Sequence, residues 1–252
     1  MTSTNAELTR LIEDLYAAER SVRALHARVG AHASEGQLAA LATATEAALM
    51  VEDEDESSVR LVRLASLLGE LEGPKAADLL IDILGTDSLE ARRSAGEALE
   101  DLAFDRFKEL ALAVERALER LPLGHAALTE LPFLLSEVPE PGVRRLLGRF
   151  LAHRDPEAVA ATIEAIVDHA DVSAADLLVP LEKDTRQVEM EDEEGDEGRV
   201  TIGELATEAR SLLAELGGAV PVAHAPSPHA PAKNAPAKNA KEKDARPRGA
   251  RR

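Results

Sequence analysis

Residues 74–103 hold two amphipathic stretches back to back, PKAADLLIDILG and TDSLEARRSAGEALEDLA, and they restrict the fold more than any other feature. In the second, Ala91, Ala95, Ala98, Leu99 and Leu102 recur at three- and four-residue steps. Glu90, Arg93, Glu97, Glu100 and Asp101 fall between them. That period puts the two sets on opposite faces of a helix. Pro74 suits the first turn of its helix, where no N–H is needed. Gly85 predicts the end of that helix, and either Asp87 or Ser88 can cap the next. A hairpin of two such helices cannot bury its own apolar stripe, so it needs neighbours of the same design.

The chain supplies them. Displaced by 67 positions, residues 84–103 fall on 151–170: Leu84 meets Leu151, Glu90 meets Glu157, Ala91 meets Ala158, Glu97 meets Glu164, Ala98 meets Ala165 and Asp101 meets Asp168. Half of that displacement is about one two-helix unit, which predicts a more diverged unit between the two. A displacement of 31 lays Leu68, Gly69, Glu70 and Leu71 on Leu99, Glu100, Asp101 and Leu102. Spacings of about 30–35 residues with two helices per unit mark an α-solenoid.

At these residues the chain resembles the HEAT-repeat family, in particular its short bacterial units. Pro74, Asp87, Arg92, Ala95, Ala98 and Leu99 match the family's proline-started helix, Asp-rich turn and VR-x-x-A-x-x-AL helix, with Ala91 in place of the valine. The unit that starts at Asp155, Pro156 and Glu157 carries Val159 where Arg92 stands. The likeness covers about 57–216. It implies an all-α, right-handed solenoid of stacked helical hairpins, and it speaks to fold rather than to activity.

Composition narrows the packing. Tyr16, Phe104, Phe107, Phe133 and Phe150 are the only aromatics, so Ala and Leu must fill the core, as closely stacked helices require. The absence of cysteine excludes disulfides and thiolate metal sites, and a reducing, cytoplasmic setting is the expectation. No apolar run approaches the roughly 18 residues of a membrane span. Glu7, Arg10, Glu13, Asp14, Glu19 and Arg20 argue against a secretory leader in the first twenty residues.

In chain order, residues 5–29 read as a long helix with one stripe of Leu8, Leu11, Ile12, Leu15, Val22, Leu25 and Val29. Residues 37–50 read as a second, Ala-rich helix with Leu38, Leu41, Ala44, Ala48 and Leu49 on one side. This pair, residues 1–50, either caps the solenoid or is a decayed repeat. Five carboxylates at 52–56 read as a solvated turn that favours the next helix through its dipole. Helices are then expected at about 58–71, 74–84, 88–103, 105–120, 124–137, 140–153, 155–170 and 173–183 within a solenoid of residues 51–218. Pro132 falls inside one of them, which predicts a kink or a late start.

Residues 184–199 break the rhythm with seven carboxylates in nine positions around Gly195, and are expected to be a mobile acidic insertion. A calcium loop would need a Glu six residues after that glycine, where Thr201 stands. The last helix, about 201–216, ends at Gly217 and Gly218. Residues 219–252, rich in Ala, Pro and Lys with PAKNA written twice, have almost nothing to bury and are expected to be disordered.

Charge is divided unevenly. The tail carries Lys233, Lys238, Lys241, Lys243, Arg246, Arg248, Arg251 and Arg252 against Glu242 and Asp244, a net of +6. The chain's total of −18 therefore leaves the body at −24. The tail then acts as an electrostatic arm with two destinations, the body's own acidic face or a polyanion.

Catalytic chemistry is not foreseen. The histidines are scattered, none is followed by Glu, and neither HExxH nor GxSxG nor a phosphate-cradling GxxxxGK[ST] occurs. The expectation is a non-enzymatic protein with no metal, cofactor or small-molecule substrate. Its concave face would be lined by the second helix of each unit, through Arg93, Glu97, Glu100, Glu164 and Asp168. That acidic surface suits a protein partner with a basic segment. The alternative is a nucleic-acid-associated protein tethered by its basic tail.

Overall fold

The structure, a computed structural model, describes residues 2–32, 35–191 and 197–219. Among them the chain forms α1 (Thr2–Gly30), α2 (Glu35–Leu49), α3 (Glu54–Gly69), α4 (Pro74–Leu84) and α5 (Leu89–Arg120). It continues through α6 (Ala127–Ser136), α7 (Val143–Leu151), α8 (Pro156–Asp168) and α9 (Ile202–Ala219). A 3-10 helix (Val172–Leu181) and an antiparallel hairpin of β1 (Gln187–Glu191) and β2 (Glu197–Thr201) lie between α8 and α9. The protein is mostly helical, and no described helix is long and apolar enough to cross a membrane.

Local signals place the helix starts. Asp53 and Asp155 accept the backbone N–H of Glu56 and Glu157, and it is Ser88 rather than Asp87 that caps α5, accepting from Ala91. Glu54, Asp55 and Glu56 fill the first turn of α3, where the helix dipole favours them. Pro74 and Pro156 each open a helix.

Each helix from α3 onward packs on its immediate successor or on the one after it. α3 lies on α4 and α5, α5 on α6 and α7, α6 on α8, α7 on the 3-10 helix, and α8 on α9. A continuous core from Leu41 to Leu213 runs through these contacts, with Leu99, Leu128 and Phe150 fully buried. Ala65, Ala91, Ala95, Ala113 and Ala158 are also fully buried, so short side chains let the helices approach closely. Ion pairs stitch neighbouring helices. Arg116 forks onto Asp78 at 2.8 Å and Arg120 reaches Asp82 at 2.6 Å, joining α5 to α4. Glu115 lies 3.2 Å from both Arg145 and Arg149, joining α5 to α7. Arg144 meets Asp176 at 2.5 Å, joining α7 to the 3-10 helix.

The helices expected at 88–103 and 105–120 are both present, joined end to end as α5 across a kink at Arg106 (φ −142°, ψ 47°), whose guanidinium donates to the Leu71 carbonyl and pairs with Glu109. Elsewhere the structure departs from the sequence expectation. Residues 184–199 are not an unstructured insertion throughout, because Gln187–Glu191 pairs with Glu197–Thr201. Val188, 2% exposed, anchors β1 in the core, and β1 packs on α8. The turn around Gly195 lies outside the described residues. The segment expected as a helix at 173–183 takes 3-10 form and contains Pro180, which has no N–H for a longer-range bond. Helix α6 starts late, at Ala127, one of the two outcomes that Pro132 predicts, and carries that proline within it. Gly217 does not end α9, which continues to Ala219. A Cβ at Gly217 would come within 2.9 Å of Val172 Cγ1, so the glycine serves close packing. In α2 it is Thr45, not Ala44, that is buried, with its hydroxyl donating to the Leu41 carbonyl.

Candidate functional site

Helix α8 lies between α6 and α9, and β1 packs against it at one end. Together they enclose an open groove of about 530 Å³. Its floor is apolar: Phe133 from α6, Ile163 and Val167 from α8, Val188 from β1, and Leu205 and Leu212 from α9. Six carboxylates stand around that floor, namely Glu130, Glu157, Glu164, Asp168, Glu189 and Glu208, and among the described residues no Lys or Arg lines it. Arg92 takes Glu130 from outside the groove, and Arg199 takes Glu189 at 2.8 Å. Glu157, Glu164, Asp168 and Glu208 pair with no cation among the described residues.

Helical geometry explains the α8 set. Glu157, Glu164 and Asp168 are spaced seven and four residues apart, which brings them to one face. On the opposite side Val159, Thr162 and Ile166 are buried. Glu157 has its carboxyl raised above the usual range, first by partial burial and then by the nearby negative charges of Asp155 and Glu189. The groove is therefore short of positive charge by its own construction.

Of the residues expected to form a binding face, Glu164 and Asp168 meet in this groove. Arg93, Glu97 and Glu100 do not; they lie along the first half of α5. Arg93 donates to Glu97 at 3.0 Å one turn on, which leaves that pair largely self-satisfied. Glu100 is raised by partial burial and then by Glu137, Glu97 and Asp101. Lys233, Lys238, Lys241, Lys243, Arg246, Arg248, Arg251 and Arg252 lie outside the described residues. Sequence reading missed Glu130, Glu157, Glu208 and Phe133. For Glu157 a signal existed in its helical spacing from Glu164. The others come from separate elements, and only tertiary packing assembles them.

A larger open cleft, about 920 Å³, runs between the starts of α3 and α5. Its carboxylates include Glu54 and Asp55, which already serve the first turn of α3, and Arg63 stands among them. Charge there is also negative, with Glu54, Asp55, Asp87 and Glu90 against Arg63, but that cleft has a cation in its lining and the α8 groove has none among the described residues. Among the described residues no three His, Asp or Glu side chains gather as a metal-ligand set. Comparison with protein-family models, with curated proteins and with solved structures gave no match to this chain.

Proposed function

We propose that this chain is a non-catalytic, HEAT-like α-solenoid scaffold, and that the groove between α6, α8 and α9 holds a basic segment of a protein partner. Two features support the solenoid reading. Helices pack on neighbours one or two places along the chain, as a quasi-one-dimensional stack does. The stitching pairs, Asp78 with Arg116, Glu115 with Arg145 and Arg144 with Asp176, also join residues about one repeat apart. Arg92, the family-like arginine, turns to Glu130 on α6.

The observation that carries the binding reading is the ring of Glu157, Glu164, Asp168 and Glu208 around an apolar floor, with no cation against it among the described residues. An amphipathic segment bearing Lys or Arg satisfies both parts. Its charged heads meet the ring while its aliphatic stems cover Phe133 and Leu212. The ring also steers cationic partners and repels polyanions over about one Debye length, roughly 8 Å at physiological salt.

The test is isothermal titration of the full chain with a Lys/Arg-rich amphipathic peptide, beside the variant Glu164→Gln/Asp168→Asn/Glu208→Gln. The parent should bind the peptide, and the variant should lose about tenfold or more in affinity, with association weakening as salt rises. Equal affinity of parent and variant would overturn the assignment. One observation favours a second reading, a nucleic-acid-associated protein: eight cations against two carboxylates in residues 219–252.

A further inference from the structure

Helix α1 carries an apolar stripe that the rest of the described fold leaves bare. Every residue from 5 to 21 is solvent-exposed, with Leu8 at 54%, Leu11 at 59% and Leu15 at 64%. Only the far end is held. Val22, His26 and Gly30 are half-buried, His26 Nε2 lies 3.1 Å from Glu70 Oε1 at the end of α3, and Gln37 donates to the Val29 carbonyl at 2.9 Å. A helix without packing along most of its length has little to stabilise it in water.

The bare stripe is a heptad seam. Leu8, Leu11, Leu15, Ala18, Val22, Leu25 and Val29 alternate steps of three and four throughout. Its flanks are sorted by sign. Residues 5–19 hold Glu7, Glu13, Asp14 and Glu19 against Arg10, while residues 20–30 hold Arg20, Arg23 and Arg28 with no carboxylate. The helix dipole does not account for this sorting, because it acts within the first and last turns and Asp14, Glu19, Arg20 and Arg23 lie beyond them.

We propose that α1 pairs with α1 of a second copy of this chain in an antiparallel two-helix coiled coil. Antiparallel pairing lays the acidic half of each helix on the basic half of the other, whereas parallel pairing sets like charges together. In the register that layers Leu8 on Leu25, Leu11 lies on Val22 and Leu15 on Ala18. Each layer below the first then sets a large side chain against a smaller one, and Glu7 comes beside Arg28 of the second copy. A membrane surface is the poorer occupant. Interfacial helices carry a Lys/Arg-rich polar face, and α1 has four arginines balanced by four carboxylates.

Sedimentation velocity and disulfide trapping on the full chain test this. The parent should be a dimer that dissociates on dilution. Leu11→Glu/Leu15→Glu, at two exposed positions, should be monomeric and lose at most the helical circular dichroism of α1, with that of the packed helices retained. Because the chain has no cysteine, single thiols report orientation cleanly. Leu8→Cys mixed with Leu25→Cys should form a disulfide-linked heterodimer under oxidation, and Leu8→Cys alone should not cross-link to itself. A monomeric parent up to about 100 μM, a dimer that survives Leu11→Glu/Leu15→Glu, or self-linking of Leu8→Cys would each overturn the proposal.

Discussion

Asp155 joins two turns with one side chain. Its Oδ1 accepts the Glu157 N–H at the head of α8 (3.1 Å), and its Oδ2 accepts the Gly124 N–H (2.7 Å) in the turn before α6. Gly124 has φ +76°, a conformation that glycine adopts without a Cβ penalty, and the turn presents its N–H to the buried carboxylate. Two residues on, Glu157 is placed for a different task. Burial and like charge raise its pKa above the ordinary 4.5, so the folded state favours the protonated form. Its contribution to stability is therefore complete below 4.5 and is lost as pH rises through the raised value. Glu157→Gln removes that loss. Denaturant midpoints of parent and variant should differ little near pH 4 and diverge toward pH 7, with the variant the more stable. The same substitution should weaken the basic peptide, because the charge that costs stability is the one a cation relieves. A variant less stable than the parent at pH 7 would show that Glu157 is held by favourable contacts instead.

At the scale of elements, what the sequence makes legible depends on how many signals coincide. In α4, α5 and α8 an apolar stripe, a proline or capping side chain and a polar turn agree, and these helices start within a residue of where they are read. Those helices also place Glu164 and Asp168, so the α8 part of the groove follows from spacing alone. The hairpin is hidden because its strands are five residues long and its alternation, Val188 then Met190, is submerged among carboxylates. Stripe alone also misleads: α1 has the longest one and buries least of it, since amphipathicity says which face seeks a partner and not which partner it finds. The hairpin's role can be measured. Val188→Ala removes two methyl groups from a site 2% exposed. At about 0.8 kcal/mol per group plus a cavity term, it should cost about 2 kcal/mol of unfolding free energy. Chemical denaturation with an unchanged m-value would read this directly. A cost below about 0.5 kcal/mol, typical of a surface site, would mean that β1 is not anchored to α8.

Taken whole, the molecule carries two charge systems of opposite sign, −24 in residues 1–218 and +6 in residues 219–252. They bear on the two functional readings separately, which makes the readings separable. Attraction of the chain to a polyanion has to come from the eight tail cations, because the body repels phosphate. Each phosphate neutralised releases counterions, so log affinity should fall linearly with log salt, by at most about 0.9 per contact on duplex DNA. Deleting residues 219–252 should therefore abolish DNA retention at low salt while leaving the melting temperature of the body almost unchanged. Glu164→Gln/Asp168→Asn/Glu208→Gln should do the reverse, sparing DNA retention and losing the basic peptide. Electrophoretic mobility shifts at two salt concentrations, run beside the peptide titration on all three proteins, give the comparison. If the tail deletion retains DNA as the parent does, the cations of residues 219–252 are not a nucleic-acid arm. If the groove variant loses DNA and peptide together, one surface serves both ligands and the division by sign is wrong.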